Sequence, residues 1–110
     1  MSEANESADK GLGGTRCSAA LGLIAAERDR QITKEGWTIT HDDSHESEEL
    51  ARAAACYAMP SFWRVESIFG MLWPWWSKWW KPTPDDRIRE LVKAGALIVA
   101  EIERLQRLQD

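Results

Sequence analysis

The chain has little cysteine, no long apolar run and no surplus of positive charge. Its two cysteines, Cys17 and Cys56, are too few for the disulfide framework of a small secreted domain, and they read as reduced thiols of a cytosolic protein. No stretch approaches the about 18 consecutive apolar residues of a membrane-spanning helix, so no membrane partner is expected. The N-terminus has no basic region leading into an apolar stretch, so no signal peptide is expected either. A net charge of −4 argues against a nucleic-acid binder, because such domains carry a basic face. There is no G-x-x-x-x-G-K-[ST] phosphate loop, no zinc-finger spacing, no Cys–His–Asp arrangement with nucleophilic spacing and no internal repeat. Tyrosine and phenylalanine are scarce, at one and two, whereas tryptophan occurs seven times. Five of those tryptophans crowd into Trp73–Trp80.

Residues 1–16, MSEANESADKGLGGTR, are small, polar and glycine-rich, and read as a disordered tail. Residues 17–110 read as a single helical domain, in keeping with the length. A first helix is predicted from near Ser18 to Lys34, with Leu21, Ile24 and Ala25 as its apolar side and Gly36 as its stop. A second is predicted to begin at Ser44 behind an Asp43 cap, with Glu46 completing a capping box. Leu50, Ala53, Ala54, Tyr57 and Ala58 form its apolar face, and Pro60 ends it. A short helix over about 61–69 follows, and Pro74 breaks anything longer. The last helix is predicted to start at a Thr83 cap with Pro84 in its first turn. Its apolar stripe is Ile88, Leu91, Val92, Ile98, Val99, Ile102 and Leu105, with Gly95 marking a close crossing and Leu97 on the opposite, wet side. The expected fold is all-α: a compact bundle of three to four helices with a Trp-rich loop or short helix across one end.

Three regions have side chains suited to a ligand. The stretch HDDSH, residues 41–45, has carboxylates that suit Mg²⁺ with a phosphate: Asp42, Asp43, then Glu46 and Glu49 one turn apart. His41 and His45 would flank the ligand. The competing reading is a helix start, in which Asp43 caps and Asp42 favours the dipole. The second region is Glu27, Arg28, Arg30 and Gln31. These residues can form a buried Arg–carboxylate network between the first two helices, hold a phosphate, or line a solvated face. The third is the tryptophan segment. Trp37, Trp73 and Trp80 are expected to cover the core. Trp75, Trp76 and Trp79 are candidates for a ligand lid or partner surface, since indole stacks on a nucleobase, and Lys78 and Lys81 add positive charge beside them. Cys56, among alanines, is expected in the core.

The blocks ERDRQ (27–31), EGWTITHDDSH (35–45), ELARAAACYA (49–58), WPW (73–75), WWKP (79–82) and RELVKAGALIVAEIERLQR (89–107) resemble, in order, a group of small proteins from tailed bacteriophages and prophages. The resemblance covers about residues 18–107. It implies an accessory protein acting in the bacterial host cytoplasm, and it does not imply a reaction. A fainter likeness is to the all-α nucleoside triphosphate pyrophosphohydrolases of the MazG type, which hold Mg²⁺ on paired acidic residues of adjacent helices. It would make Glu27 and Glu49 catalytic, but Arg30 and Arg52 stand where the second acid of each pair belongs.

The leading expectation is a non-enzymatic binder of a nucleotide or nucleotide-derived signal, with an anti-defence role. Its ligand residues would be Arg28, Arg30, Gln31, Trp37, His41, His45, Trp76, Trp79 and Lys81. The alternatives are a Mg²⁺-dependent pyrophosphohydrolase and a protein–protein inhibitor of a host defence or replication protein. A homo-oligomer is also expected, because about 90 ordered residues are few to cover seven tryptophans and two-sided helices.

Overall fold

Ala53 and Ala54 stand on one face of an alanine-rich helix, and Ala94 and Ala100, either side of Leu97, on one face of the long C-terminal helix. Methyl side chains let two backbones approach closely, and this contact organises the domain. In the computed structural model, which describes residues 18–36 and 48–109, four α-helices are present: α1 Ala19–Lys34, α2 Glu49–Ala58, α3 Glu66–Leu72 and α4 Arg87–Leu108. Two single 3₁₀ turns, Ser61–Trp63 and Ser77–Trp79, punctuate the segment between α2 and α4. No strand occurs among the described residues, so the fold is all-α. None of the described helices is long and apolar enough to cross a membrane.

The helix ends show how the chain is stopped and started. Ser18 caps α1, its hydroxyl accepting from the Leu21 N–H at 3.1 Å. Gly36, at φ +73, adopts the left-handed conformation that glycine tolerates just beyond the helix end. Glu48 is also left-handed, at φ 60, so a continuous helix cannot run through it, and α2 starts at Glu49 rather than at Ser44. The expected Asp43–Glu46 capping box lies outside the described residues. The cap of α4 is Asp86, whose carboxylate accepts from the Arg89 N–H at 3.1 Å. Thr83 sits one turn earlier than a cap would. Its C=O accepts from the Asp86 N–H at 2.8 Å, so Thr83-Pro84-Asp85-Asp86 is a turn leading into the helix.

The helix expected over 61–69 is divided into the 3₁₀ turn and α3, because Arg64 leaves helical geometry at ψ 54. Its guanidinium donates instead to the C=O of Cys56 at 3.1 Å and of Tyr57 at 3.0 Å. Arg87 donates to the C=O of Tyr57 at 2.9 Å and also to that of Ala58. The last carbonyls of a helix have no partner within it, and these two arginines supply partners for the end of α2. Buried Glu90 holds both of them, with Arg64 bonds of 3.0 Å to each oxygen and an Arg87 bond of 3.0 Å. It also accepts from the Thr83 N–H at 3.0 Å. One carboxylate thus ties together the end of α2, the turn before α3 and the start of α4.

The core comprises Leu50, Ala53, Ala54, Cys56 and Tyr57 of α2, Trp73, and Ala94, Leu97 and Ala100 of α4. Leu97, expected on the wet side, is only 1% exposed. Most of the stripe expected to be buried is left outside: Ile88, Leu91, Ile98, Ile102 and Leu105 are each 44–66% exposed, whereas Val92 is buried and Val99 half-buried. The reason is the position of the alanines. They let α2 lie against the face that carries Leu97, whereas α1 comes closest to the stripe at Gly95, where a Cβ would stand 2.7 Å from Ile24 Cδ1. In α1, Leu21 and Ala25 of the expected apolar side are exposed, and the buried residues are Glu27, Arg28 and Gln31. Charged side chains stay dry there because α4 pairs with them, through Arg89 to Glu27 at 2.6 Å and Glu103 to Arg28 at 3.1 Å. Among the described residues the Arg–carboxylate network thus joins α1 to α4.

Candidate functional site

The segment between α3 and α4 cannot continue as helix past Pro74, and it folds back over the end of α2. Trp73, nearly buried, is its anchor. Its indole meets Tyr57 edge-on at 5.8 Å, Trp75 at 5.4 Å and Trp80 at 5.0 Å, and it stacks on Phe69 at 5.8 Å. Its ring N–H donates to the Trp76 C=O at 3.0 Å, which satisfies the polar atom that burial would otherwise strand. The Tyr57 hydroxyl accepts from the Lys81 N–H at 3.1 Å, pinning the far end of the segment. Trp73 and the half-buried Trp80 thus cover the core as expected, and Trp75 packs against it.

Between this segment and the α1–α4 crossing lies a cleft of about 950 Å³. The tryptophan segment forms one wall, with Trp73, Trp75, Trp76 and Trp79. The opposite wall combines Glu27, Arg30, Gln31 and Glu35 of α1 and its C-terminal end with Arg89 and Lys93 of α4, and Lys78 and Lys81 complete it. Among the described residues, five cationic side chains therefore face two carboxylates. Glu27 takes up two of the cations, with Arg30 bonds of 3.0 and 2.9 Å and the Arg89 bond of 2.6 Å. Burial pushes the Glu27 carboxyl up, but the two guanidinium groups outweigh it and hold it below the ordinary carboxylate range. Arg30 reaches Glu35 as well, at 2.9 Å.

The three lysines carry the surplus. Among the described residues no carboxylate pairs with Lys78, Lys81 or Lys93. Lys78 lies over the rings of Trp76 and Trp79, at 4.8 and 5.4 Å from their centroids. Lys93 lies 5.4 Å above the Tyr57 ring and donates to the Lys81 C=O at 2.7 Å. Burial first, and then the Arg89 charge, lower its affinity for its proton. A lining positive among the described residues, in a protein of net charge −4, favours an anion, and the exposed residues Trp76 and Trp79, at 71% and 56%, offer stacking to a flat group.

Gln31 adds a polar contact of another kind. It is only 3% exposed, it lines the cleft, and its Oε1 has no hydrogen-bond partner among the described residues. A buried amide without a partner costs roughly 1–3 kcal/mol. A ligand donor reaching the floor of the cleft would recover it.

Of the residues expected at a site, Glu27, Arg30, Gln31, Trp76, Trp79 and Lys81 come together here. Arg28 does not: it points away into its pair with Glu103, so it is not placed to meet a phosphate in the cleft. Glu49 opens α2 and does not line the cleft. Trp37, His41, Asp42, Asp43, His45 and Glu46 lie outside the described residues. Among the described residues no group of three or more His, Cys, Asp or Glu is placed to hold a metal ion. Sequence reasoning missed Arg89 and Lys93. Both lie four residues apart on one face of an evident helix, and that spacing beside a conspicuous cationic segment was the available signal. Comparison of the chain with protein-family models, with curated proteins and with solved structures gave no match.

Proposed function

We propose that this chain is a non-enzymatic binder of a nucleotide or nucleotide-derived signal, held in the cleft between α1, α4 and the tryptophan segment. The observation that carries this reading is the buried Gln31 Oε1, without a partner among the described residues, within a cleft that has a lysine surplus on one side and indoles on the other. Lys78, Lys81 and Lys93 would neutralise phosphate. Trp76 or Trp79 would stack on the base, and Gln31 would accept from a base or sugar donor. Arg30 and Arg89, already oriented by Glu27, would present guanidinium N–H groups without further ordering. The resemblance to phage accessory proteins gives such a binder a role: holding a host defence messenger out of circulation in the host cytoplasm.

The test is calorimetric titration and thermal shift with mono-, di- and cyclic nucleotides. Saturable binding is expected to weaken with salt and to fall at least about tenfold in Trp79→Ala, in line with the stacking of about 1–3 kcal/mol per base. Absence of any shift at millimolar nucleotide would overturn the reading. Release of pyrophosphate from a deoxynucleoside triphosphate in Mg²⁺ would replace it with the pyrophosphohydrolase reading, whose remaining carboxylates are Asp42, Asp43 and Glu46.

A second reading is favoured by one observation, the exposure of two neighbouring tryptophans at Trp76 and Trp79. Exposed indoles beside a lysine are typical anchors at protein interfaces, and here they would dock a host defence or replication protein. Recovery of the same host protein by wild type and by a Trp76→Ala, Trp79→Ala variant would argue against a tryptophan-based interface.

A further inference from the structure

Ile88, Leu91, Gly95, Ile98, Ile102 and Leu105 follow one another along α4 at alternating steps of three and four residues. This is the spacing by which one helix packs its seam against another. Among the described residues it is the middle of that seam that is met, where Ile24 of α1 sits over Gly95. To one side of the crossing, Ile88 and Leu91 form an apolar groove with Ala20, Leu23 and Val92. To the other side, Ile98, Ile102 and Leu105 stand exposed. Leu21 and Leu23, on the N-terminal half of α1, are exposed as well.

We propose that this face is covered by a second copy of the chain, so that the α1–α4 faces of two protomers pack about a two-fold axis into a bundle core. Three observations specify that occupant. The first is area. The five stripe residues, each 44–66% exposed, with Leu23 beside Ile88 and Leu91, form an apolar patch on the order of 500 Å², a size at which exposed apolar surface marks an interaction site. The second is charge. The stripe from Ile88 to Leu105 has no ionisable residue at any of its six positions, so superposing it on itself brings no like charges together. The third is self-complementarity. A two-fold pairing needs one surface that fits itself, and a seam of branched aliphatics in regular three–four steps provides knobs and holes on both sides at once. The cleft is lined by Arg89, Lys93 and Leu97, on a different side of α4 from the stripe. Pairing therefore leaves the cleft open.

The experiment is light scattering and sedimentation of the full chain at micromolar concentration, wild type against Ile98→Asp, Ile102→Asp. Both positions are exposed in the protomer, so the variant is expected to keep its helical circular dichroism. Wild type is expected at twice the 12.5 kDa protomer mass, with the variant's dimer dissociation constant raised at least about a hundredfold by charges carried into an apolar contact. Hydrogen exchange over residues 98–105 is read in parallel. A monomeric wild type with this segment protected would assign the face to another part of the same chain and overturn the proposal. A monomeric wild type with the segment unprotected would leave it to a foreign partner and overturn it equally. A dimer that survives both aspartates would place the interface elsewhere. If the aspartate variant loses its helicity, Ile102→Ser alone, a milder change at the same exposed position, replaces it, with the dimer dissociation constant expected to rise about tenfold and an unchanged constant overturning the proposal.

Discussion

Two faces of α4 run side by side and are made of different materials. The buried face bears Glu90, Ala94, Leu97, Glu101 and Arg104. The exposed face bears Ile88, Leu91, Ile98, Ile102 and Leu105. Hydrophobicity alone would reverse them. Closeness of approach decides instead: Ala94 and Ala100 meet Ala53 and Ala54 of α2 in one cluster, and many atoms then lie at contact distance, where dispersion accumulates. The charged residues on that face enter already matched. Arg104 bonds both oxygens of Glu101 at 2.8 and 2.9 Å, and Glu90 meets Arg64 and Arg87. The comparison teaches that a paired carboxylate can sit in a small core more readily than a bulky isoleucine can, provided the partners arrive from rigid elements.

The largest effect is expected where the buried face loses a charge. Glu90→Ala strands two guanidinium groups at the end of α2, one of them buried, and should cost about 3–5 kcal/mol in urea unfolding. A loss under about 1 kcal/mol would mean that the carboxylate does not hold the three segments together. The same residue gives the fold an acid limb. Its hydrogen bonds from Arg64, and then those from Arg87, outweigh burial and hold its carboxyl below the ordinary 4.5. A carboxylate depressed in the folded state contributes its full stabilisation above the unfolded value and loses it as pH falls through the folded one. Stability is therefore expected to decline below about pH 4.5, and the decline should be shallower in Glu90→Gln.

Next comes Leu97→Ala, which empties a core position and should cost about 2–5 kcal/mol. Ile102→Ala, at concentrations dilute enough to keep the chain monomeric, should change stability by no more than about 0.5 kcal/mol. Equal losses at the two positions would erase the contrast between the faces. Gly95→Ala should have a smaller effect, a net loss of about 1 kcal/mol, as the clash with Ile24 outweighs the gain in helix propensity. Trimming Ile24 to valine in the same chain should recover part of it. The smallest effect is expected at Trp79→Ala, where stability should move by less than about 0.5 kcal/mol while nucleotide binding falls.

These contrasts explain what could be read from residues alone. The all-α class and the three longer helices were legible because periodicity, Gly36, Pro60 and Pro74 act locally. The identity of the buried face was not, since it depends on which neighbour carries alanines opposite it. The cap of α4 was misplaced by three residues because Thr83 and Asp86 are both good caps, and only the reach of Glu90 to the Thr83 N–H assigns Thr83 to the preceding turn. In the cleft, Arg30, Gln31, Trp76, Trp79 and Lys81 were legible from side-chain chemistry. Arg28 differs from Arg30 only by where its helix points it, toward Glu103. Arg64 and Arg87 carried no sequence signal, because their partners are backbone carbonyls of α2, and any residue type supplies those.

Cys56 offers one more consequence. Its thiol is fully buried in the core cluster around α2, and burial pushes it up to about 11, against the opposing pull of Arg64 and Arg52. At mildly alkaline pH it is therefore both protonated and out of reach of a thiol reagent. With Cys17 replaced by serine, modification of the native protein can proceed only in moments when the packing around α2 opens. The labelling rate then becomes a clock for that opening. Urea-unfolded protein should react at the rate of a free thiol, native protein far more slowly, and Glu90→Ala in between, since it loosens the tether at the end of the same helix.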